Sequence, residues 1–391
     1  MESKLPKKLA VITTVDATMA GLVLAQIKAA QREGFSVYGL CAKGPYYKML
    51  EDNEIFMRSL PFVRSITPLK DLIALWKLYR FFKHEQIDIV HTHTPKAALY
   101  GLLASKIAGV KLSVNTAHGL SFNENTKSLL RFCCLAYEHF AARLVDITLM
   151  QNPEDVETAK NLKIGRPEKI RYLGNGVDLQ KFNPSKFDSD FVKAKKAELK
   201  IPQDALVIGI IGRIVREKGF LELFEAMKKL MPRYKKVWLV IIGPEQSGRN
   251  GGISGNTFKE FGIEDRTCWL GRRDDVAELL ACFNIYAFPS WREGFPRSAI
   301  EAAAMGLPIV TTNIRGCRQV VEDGVNGILV PLRNVNALEA ALTKIIEDEN
   351  LRNEMGKKGY EKAQSDFDEK KVCKIVIDTY EELLSEKINR S

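Results

Sequence analysis

Two glutamates eight residues apart, in Glu293-Gly-Phe-Pro-Arg-Ser-Ala-Ile-Glu301, are the residues of this sequence best placed to do chemistry. The apolar run 285–288 reads as a buried strand, Pro289-Ser290 as a turn, and the stretch from about 297 to 304 as a helix. Pro296 suits the first helical turn, where its missing N–H costs nothing. Gly294 lets the backbone come close to a ligand. The N–H groups of Phe295 and Arg297 would then face an anion such as a diphosphate. Glu301 lies about one turn further along, roughly 5 Å, where a carboxylate reaches a ribose beside the phosphates. Glu293 precedes the helix and points toward whatever the diphosphate carries. In isolation a Glu-x7-Glu pair is more often a capped helix with two solvated acids. The strand–turn–helix setting favours the ligand.

A second group fits the first. Gly212-Arg213 ends the apolar run 206–211, and Lys218-Gly219 precedes another helical pattern. Two cations in one loop after a strand neutralise a diphosphate, Arg as a planar fork and Lys as a point charge. The alternative is a pair of solvated surface cations. Gly-x-x-Gly at 209–212 lacks the full spacing of a dinucleotide fingerprint. In the first half, His118 and Gly119 follow the strand pattern 112–116, and His91-Thr-His93 ends another strand. A histidine at a strand's carboxyl end suits ligand contact, although a lone His is more often structural. The His-x-His spacing suggests a metal only with a third ligand, and neither one nor a His-Glu-x-x-His motif is present. His139 lies among apolar helical residues and reads as structural.

The elements that must hold these residues alternate regularly. Strand patterns at 9–14, 36–40, 87–91, 112–116 and 146–150 interleave with helical ones at about 22–33, 70–84, 97–107 and 127–143. After the turn at Gly174-Asn-Gly-Val-Asp178 and a lysine-rich stretch, the alternation resumes with strands at 206–211, 237–242, 268–270, 285–288 and 309–312. Such βαβ repetition implies parallel sheets. The tail carries three helical patterns, at 337–347, 351–363 and 369–384. The expected fold is therefore α/β, with two Rossmann-like doubly wound domains facing each other across a cleft. A C-terminal helix is expected to pack back on the first domain. Ligands of such sheets bind beyond the strands' carboxyl ends.

With 391 residues there is chain for two or three domains. A composition 46% hydrophobic and 27% charged excludes disordered and collagenous classes. Seven scattered cysteines, with no Cys-x-x-Cys pair, support neither a disulfide framework nor a zinc site. The run 9–12 is too short for a signal peptide, so the expected compartment is the cytoplasm. The net charge is +10, and residues 1–178 carry most of it, with 24 Lys and Arg against 17 Asp and Glu. That bias suits an anionic membrane, phosphorylated substrates or nucleic acid, and no recognised motif supports the last. The helix at 69–84 sets Lys77, Arg80 and Lys83 beside Trp76, Phe81 and Phe82, a pattern that serves an anionic membrane surface or ordinary packing with a basic edge.

The set Gly212-Arg213…Lys218-Gly219, Glu293-Gly-Phe-Pro…Glu301-Ala and Gly306-Leu-Pro-Ile-Val resembles the family-4 retaining glycosyltransferases of the GT-B fold. So do Asn175-Gly-Val-Asp178, Glu322-Asp-Gly-Val-Asn-Gly327 and Val330-Pro331. The first half, with Asp88-Ile-Val-His91-Thr-His93 and Thr116-Ala-His118-Gly119, resembles members that build bacterial surface polysaccharides and lipid-linked glycans. The resemblance spans nearly the whole chain. It implies an acceptor-side domain over 1–178, a nucleotide-sugar domain over 179–366 and a terminal helix over 367–391. It implies that Arg213 and Lys218 hold the donor diphosphate and that Glu301 binds ribose hydroxyls. Glu293 would contact the donor sugar with the backbone of Gly294, Phe295 and Pro296 beside it, and His118 would touch the sugar's hydroxymethyl side. Gly243 and the loop Gly271-Arg272-Arg273 resemble base-binding elements. Where many members carry paired glycines near the phosphates, this chain reads Asp16-Ala-Thr-Met-Ala-Gly21, with Gly21 alone. The implied reaction is metal-independent, retaining transfer of a sugar from a UDP-sugar, with no other cofactor, to a glycan or an undecaprenyl-diphosphate-linked acceptor. The implied location is the cytoplasm or the inner face of the cytoplasmic membrane. The competing class is a UDP-sugar 2-epimerase of the same architecture, which needs no acceptor.

Overall fold

The computed structural model describes residues 6–63, 65, 67–122, 126–246, 251–254 and 257–390. The chain divides into two compact units, Met1–Gly174 with Lys370–Ser391, and Asn175–Glu369. The break falls at 174/175 rather than 178/179 for a local reason. Asn175 Nδ2 donates to the carbonyl of Phe295 at 3.1 Å. Gly176 lies so close to the backbone of 367–369 that a Cβ there would stand 2.7 Å from the Glu369 nitrogen.

The first unit holds seven parallel strands: β1 (Lys8–Val15), β2 (Ser36–Ala42), β3 (Phe56–Ser59), β4 (Ile89–Thr92), β5 (Leu112–Ala117), β6 (Ile147–Met150) and β7 (Ile170–Tyr172). Their order is β3-β2-β1-β4-β5-β6-β7. In β1 six consecutive residues are buried, the mark of a parallel strand covered on both faces. One face is covered by helices α1 (Pro68–Glu85), α2 (Pro95–Ala108) and α3 (Ser128–Leu144). Pro68 and Pro95 open their helices where no N–H is needed, and Gly109 closes α2 in the left-handed conformation at φ 71°.

The second unit holds six parallel strands: β8 (Leu206–Ile211), β9 (Val237–Ile242), β10 (Thr267–Trp269), β11 (Ile285–Phe288), β12 (Ile309–Thr312) and β13 (Gly327–Val330). Their order is β10-β9-β8-β11-β12-β13. Its core joins both faces of the sheet to α4 (Phe220–Arg233) and α5 (Arg297–Ala304), whose alanine-rich face is fully buried.

The last helix, α6 (Glu369–Arg390), returns to the first unit. Val372, Val376, Ile377, Tyr380 and Leu384 recur at helical spacing and join the core beside β1, β4 and β5. Each buried side chain of this size contributes about 1.5–3 kcal/mol. Arg171 grips Glu382 through both of its terminal nitrogens, at 2.9 and 3.0 Å.

Candidate active site

Both sheets reverse their strand order once, and the chemistry-bearing residues gather at those points. In the second unit the reversal lies between β8 and β11, which pair directly. Loops leaving two such strands in opposite directions open a crevice at their carboxyl ends. Arg213 and Lys218 follow β8, and Glu293 follows β11.

Lys218 Nζ meets Glu293 Oε1 at 2.5 Å, with both side chains largely buried. Ser290 Oγ donates to the same oxygen at 2.6 Å. The ammonium also stands over the Phe288 ring, 5.3 Å from its centre. The turn 216–218 is held against β11 by Trp291 N–H, which donates to the Glu217 carbonyl at 2.7 Å, with Ser290 Oγ 3.1 Å from the same oxygen. Gly219 makes this approach possible. Its φ is +77°, and a Cβ there would stand 2.0 Å from the Pro289 carbonyl oxygen. Arg213 is more open and pairs with Glu217 at 3.3 Å.

On the other side of Glu293, Gly316 packs against the backbone of 293–294, where a Cβ would fall 2.7 Å from the Glu293 carbonyl oxygen. Thr311 Oγ1 donates to the Phe288 carbonyl at 2.6 Å, and Thr312 Oγ1 to that of Ser290. These bonds fix the strand end that carries Glu293. The sequence reading missed Ser290, Thr311, Thr312 and Gly316 because their partners lie across the sheet.

Pro296 is the residue before α5 and not its first turn, with φ −72° and ψ 104°. The dipole of the helix still favours an anion at its first turn. Phe295 is buried with its ring edge-on to Phe367, so this segment offers a ligand its backbone and not its ring. Arg297 reaches along the helix to Glu301 at 3.3 Å. Burial pushes the Glu301 carboxyl up from its ordinary value, and Arg297 works against that.

Gly243 has a steric role in the fold. At φ 150° it lies against Gly212, where a Cβ would stand 1.7 Å from the carbonyl oxygen. Its N–H donates to Gly271 O at 2.7 Å, and its carbonyl accepts from Trp269 Nε1 at 3.0 Å. Arg272 is exposed, 3.4 Å from Asp274, while Arg273 binds Asp275 twice.

In the first unit the reversal lies between β1 and β4. Gly21 sits in the wide helical turn Met19–Val23 after β1, and a Cβ there would meet nothing within 4 Å. Three histidines gather at the carboxyl ends of β4 and β5: His91 within β4, His93 just after it and His118 just after β5. His91 uses both ring nitrogens, with Tyr380 Oη at 2.5 Å and Thr116 Oγ1 at 2.8 Å. Its ring lies against that of His93, centres 4.0 Å apart and planes tilted by 36°. His118 Nδ1 stands 3.0 Å from Gln151 Oε1, and His118 Nε2 stands 3.3 Å from His93 Nδ1. With Gln151 accepting, His118 Nε2 is an acceptor and His93 Nδ1 its donor. His93 Nε2 is then a bare lone pair, and among the described residues it has no partner. Burial is the main cause holding all three below the ordinary histidine value, His91 at about 3. Neutral imidazoles of this kind can bind hydroxyl groups.

Two family models match the chain, and between them they span most of it. Residues 20–181 match Glycosyltransferase Family 4, and residues 191–362 match Glycosyl transferases group 1. The chain belongs to these glycosyltransferases. Among curated relatives it is 29% identical to the Escherichia coli UDP-Gal:alpha-D-GlcNAc-diphosphoundecaprenol alpha-1,3-galactosyltransferase, over 84% of each chain. It is 25% identical to the N,N'-diacetylbacillosaminyl-diphospho-undecaprenol alpha-1,3-N-acetylgalactosaminyltransferase of Campylobacter jejuni, over 92% of this chain and 94% of that one. Among solved structures it shares the fold of Anabaena Alr3699/HepE, crystallised with UDP and glucose, at TM-score 0.79 and 21% identity, over 96% and 99% of the two chains. The architecture is GT-B, and the chain is a glycosyltransferase.

Proposed function

We propose that this glycosyltransferase moves a hexosyl or N-acetylhexosaminyl group from a UDP-sugar, with retention, to an undecaprenyl-diphosphate-linked glycan during bacterial polysaccharide assembly. The observation that carries the reading is the Lys218–Glu293 pair at the β8/β11 reversal, beside Arg213 and the N-terminus of α5. The names of the two curated relatives support the donor and acceptor classes. The work would then be done at the inner face of the cytoplasmic membrane, where the acceptor's lipid is anchored.

In this reading Arg213 and Lys218 bind the diphosphate, and Glu301 accepts hydrogen bonds from the ribose hydroxyls. Glu293, with the backbone of Gly294 and Phe295, holds the donor sugar, and His118 contacts its hydroxymethyl side. The base lies near Gly243 and Arg272. The bond from the sugar's anomeric carbon to the diphosphate breaks, and its electron pair leaves with UDP. The acceptor oxygen bonds to the same face of that carbon, and its proton passes to a departing phosphate oxygen. Fixed positive groups stabilise the charge that develops on UDP without reorganising. We assign that neutralisation to these side chains and the helix terminus rather than to a metal ion.

Transfer to a lipid-linked acceptor, followed by product release from a panel of UDP-sugars, tests the reading. Lys218→Ala and Glu293→Ala are each expected to lower turnover by about 100-fold or more, and to lower the melting temperature as well because each leaves a buried charge unpaired, with the assay run where thermal denaturation shows the variant still folded. Near-parental turnover in both would refute the assignment. The same UDP-sugars incubated without acceptor are expected to stay unchanged, whereas a 2-epimerase would convert them.

A further inference from the structure

The two oxygens of the Glu293 carboxylate face different surroundings. Oε1 accepts from Lys218 Nζ at 2.5 Å and from Ser290 Oγ at 2.6 Å. Oε2 makes no hydrogen bond among the described residues, and it is not one of the buried polar atoms left unpaired. It is therefore open to solvent, although most of the Glu293 side chain is covered. An ionised carboxylate only accepts hydrogen bonds, so this oxygen suits a ligand O–H.

Ser290 is the more rigid of the two donors on Oε1. It is fully buried. Its backbone is held on both sides, by its N–H donating to the Phe288 carbonyl at 2.9 Å and by its carbonyl accepting from Thr312 Oγ1. Thr311 Oγ1 fixes the Phe288 carbonyl in turn, at 2.6 Å. The Ser290 hydroxyl has three acceptors in reach: Glu293 Oε1 at 2.6 Å, the Glu217 carbonyl at 3.1 Å and the Arg292 carbonyl at 3.4 Å. It has one proton to give. The carboxylate oxygen is the nearest of the three and is charged, and charge-assisted bonds are the shorter and stronger kind.

Lys218 cannot do the same work. An ammonium is a point charge with rotatable donors on a flexible stem, and it does not fix the plane of a carboxylate. In the reading above it also serves the diphosphate, so a bound donor divides its attraction between phosphate and Glu293. The terminal torsion of a glutamate is broad and two-fold. Held by Lys218 alone, the carboxylate is free to turn both oxygens toward the ammonium. The bond from Ser290 removes that freedom, and it persists while Lys218 is engaged by phosphate.

We propose that Ser290 is a positioning residue for the donor sugar: its hydroxyl holds Glu293 Oε1 inward, so that Oε2 alone meets a ring hydroxyl of the sugar. This rests on the reading of Glu293 as the sugar contact. A single acceptor at a fixed place pairs with a hydroxyl of one configuration and is left unpaired by the epimer. Ser290 therefore acts on the choice of sugar as well as on the rate.

Steady-state transfer, UDP binding by calorimetry and a double-mutant cycle with Glu293 test this, with the fold of each variant checked by thermal denaturation. Ser290→Ala is expected to lower kcat/KM for the preferred UDP-sugar about tenfold or more, while the Kd for UDP, which carries no sugar, stays within about twofold of the parent. Its preference for that donor over UDP-sugars that differ in one ring hydroxyl is expected to shrink by a similar factor. Ser290→Cys, close in shape with a weaker donor, is expected to fall between the parent and Ser290→Ala. In a Glu293→Ala background, Ser290→Ala is expected to change nothing further. Near-parental transfer in Ser290→Ala would overturn the proposal. So would an equal loss of UDP affinity, or an undiminished further loss on top of Glu293→Ala, because either result places the work of the hydroxyl in the Glu217 turn. Those results sink the proposal alone. Near-parental transfer in Glu293→Ala itself would refute the assignment of Glu293 and the proposal with it, so the two failures are told apart.

Discussion

At the scale of single residues, the site depends on close backbone approaches as much as on charges. Lys218 can lie 2.5 Å from Glu293 because Gly219 turns the chain at φ +77° directly beneath Pro289. Gly219→Ala places a methyl group on the Pro289 carbonyl and a side chain in the left-handed region. It is expected to cost about 1–3 kcal/mol from backbone strain and to move Lys218 away from Glu293. Urea unfolding together with the turnover assay checks this. Loss of both stability and activity is expected, and an unaffected variant would mean the loop relaxes freely. The charged pair was legible in the sequence because cations and acids after strands stand out by type. Gly316 and Thr312 were not, since a glycine or threonine becomes informative only when the backbone opposite it is known. The steric need for Gly243 was hidden for the same reason, while Gly21 has open space around it.

At the scale of elements, the histidines at the carboxyl ends of β4 and β5 give the first unit a pH-sensitive core. Burial keeps His91, His93 and His118 neutral, each below the ordinary value near 6.5. The unfolded chain binds protons there as pH falls below about 6.5, while the folded chain does not. Stability is therefore full above that pH and is lost on acidification toward His91's value of about 3. The slope is about 1.4 kcal/mol per pH unit for each histidine kept neutral. Denaturant midpoints measured from pH 7.5 to about 5 are expected to fall more steeply in the parent than in His91→Gln. Equal slopes would contradict this account. The strands that the sequence reading did not find, β3, β7 and β13, all lie at sheet edges. Each is short and partly exposed, so none carries the continuous apolar run that marked the central strands. The return of α6 to the first unit was suggested by its apolar period, but its bond from Tyr380 to His91 could not be read from residues 289 positions apart.

At the scale of the whole molecule, two sheets of the same design divide the work by their loops. Each reverses strand order once, and each collects its polar residues at that reversal: histidines in the first unit, and cations with paired acids in the second. Helices α1 and α3, which cover one side of the first sheet, leave Leu69, Trp76, Leu129 and Phe132 exposed. Among the described residues no helix is long and apolar enough to cross a membrane. The exposure of Leu129, Leu130 and Phe132 on α3 did not stand out, because an apolar helical period reads as core until exposure is known.

The central claim is that the loops after β8 and β11 grip the diphosphate of a sugar nucleotide so that the glycosyl group can leave it. A crystal structure of the protein with UDP tests this most directly. The account predicts phosphate oxygens within hydrogen-bond reach of Arg213, Lys218 and the first N–H groups of α5, with the ribose on Glu301. A nucleotide bound elsewhere on the second unit, with Lys218 and Glu301 untouched, would contradict it.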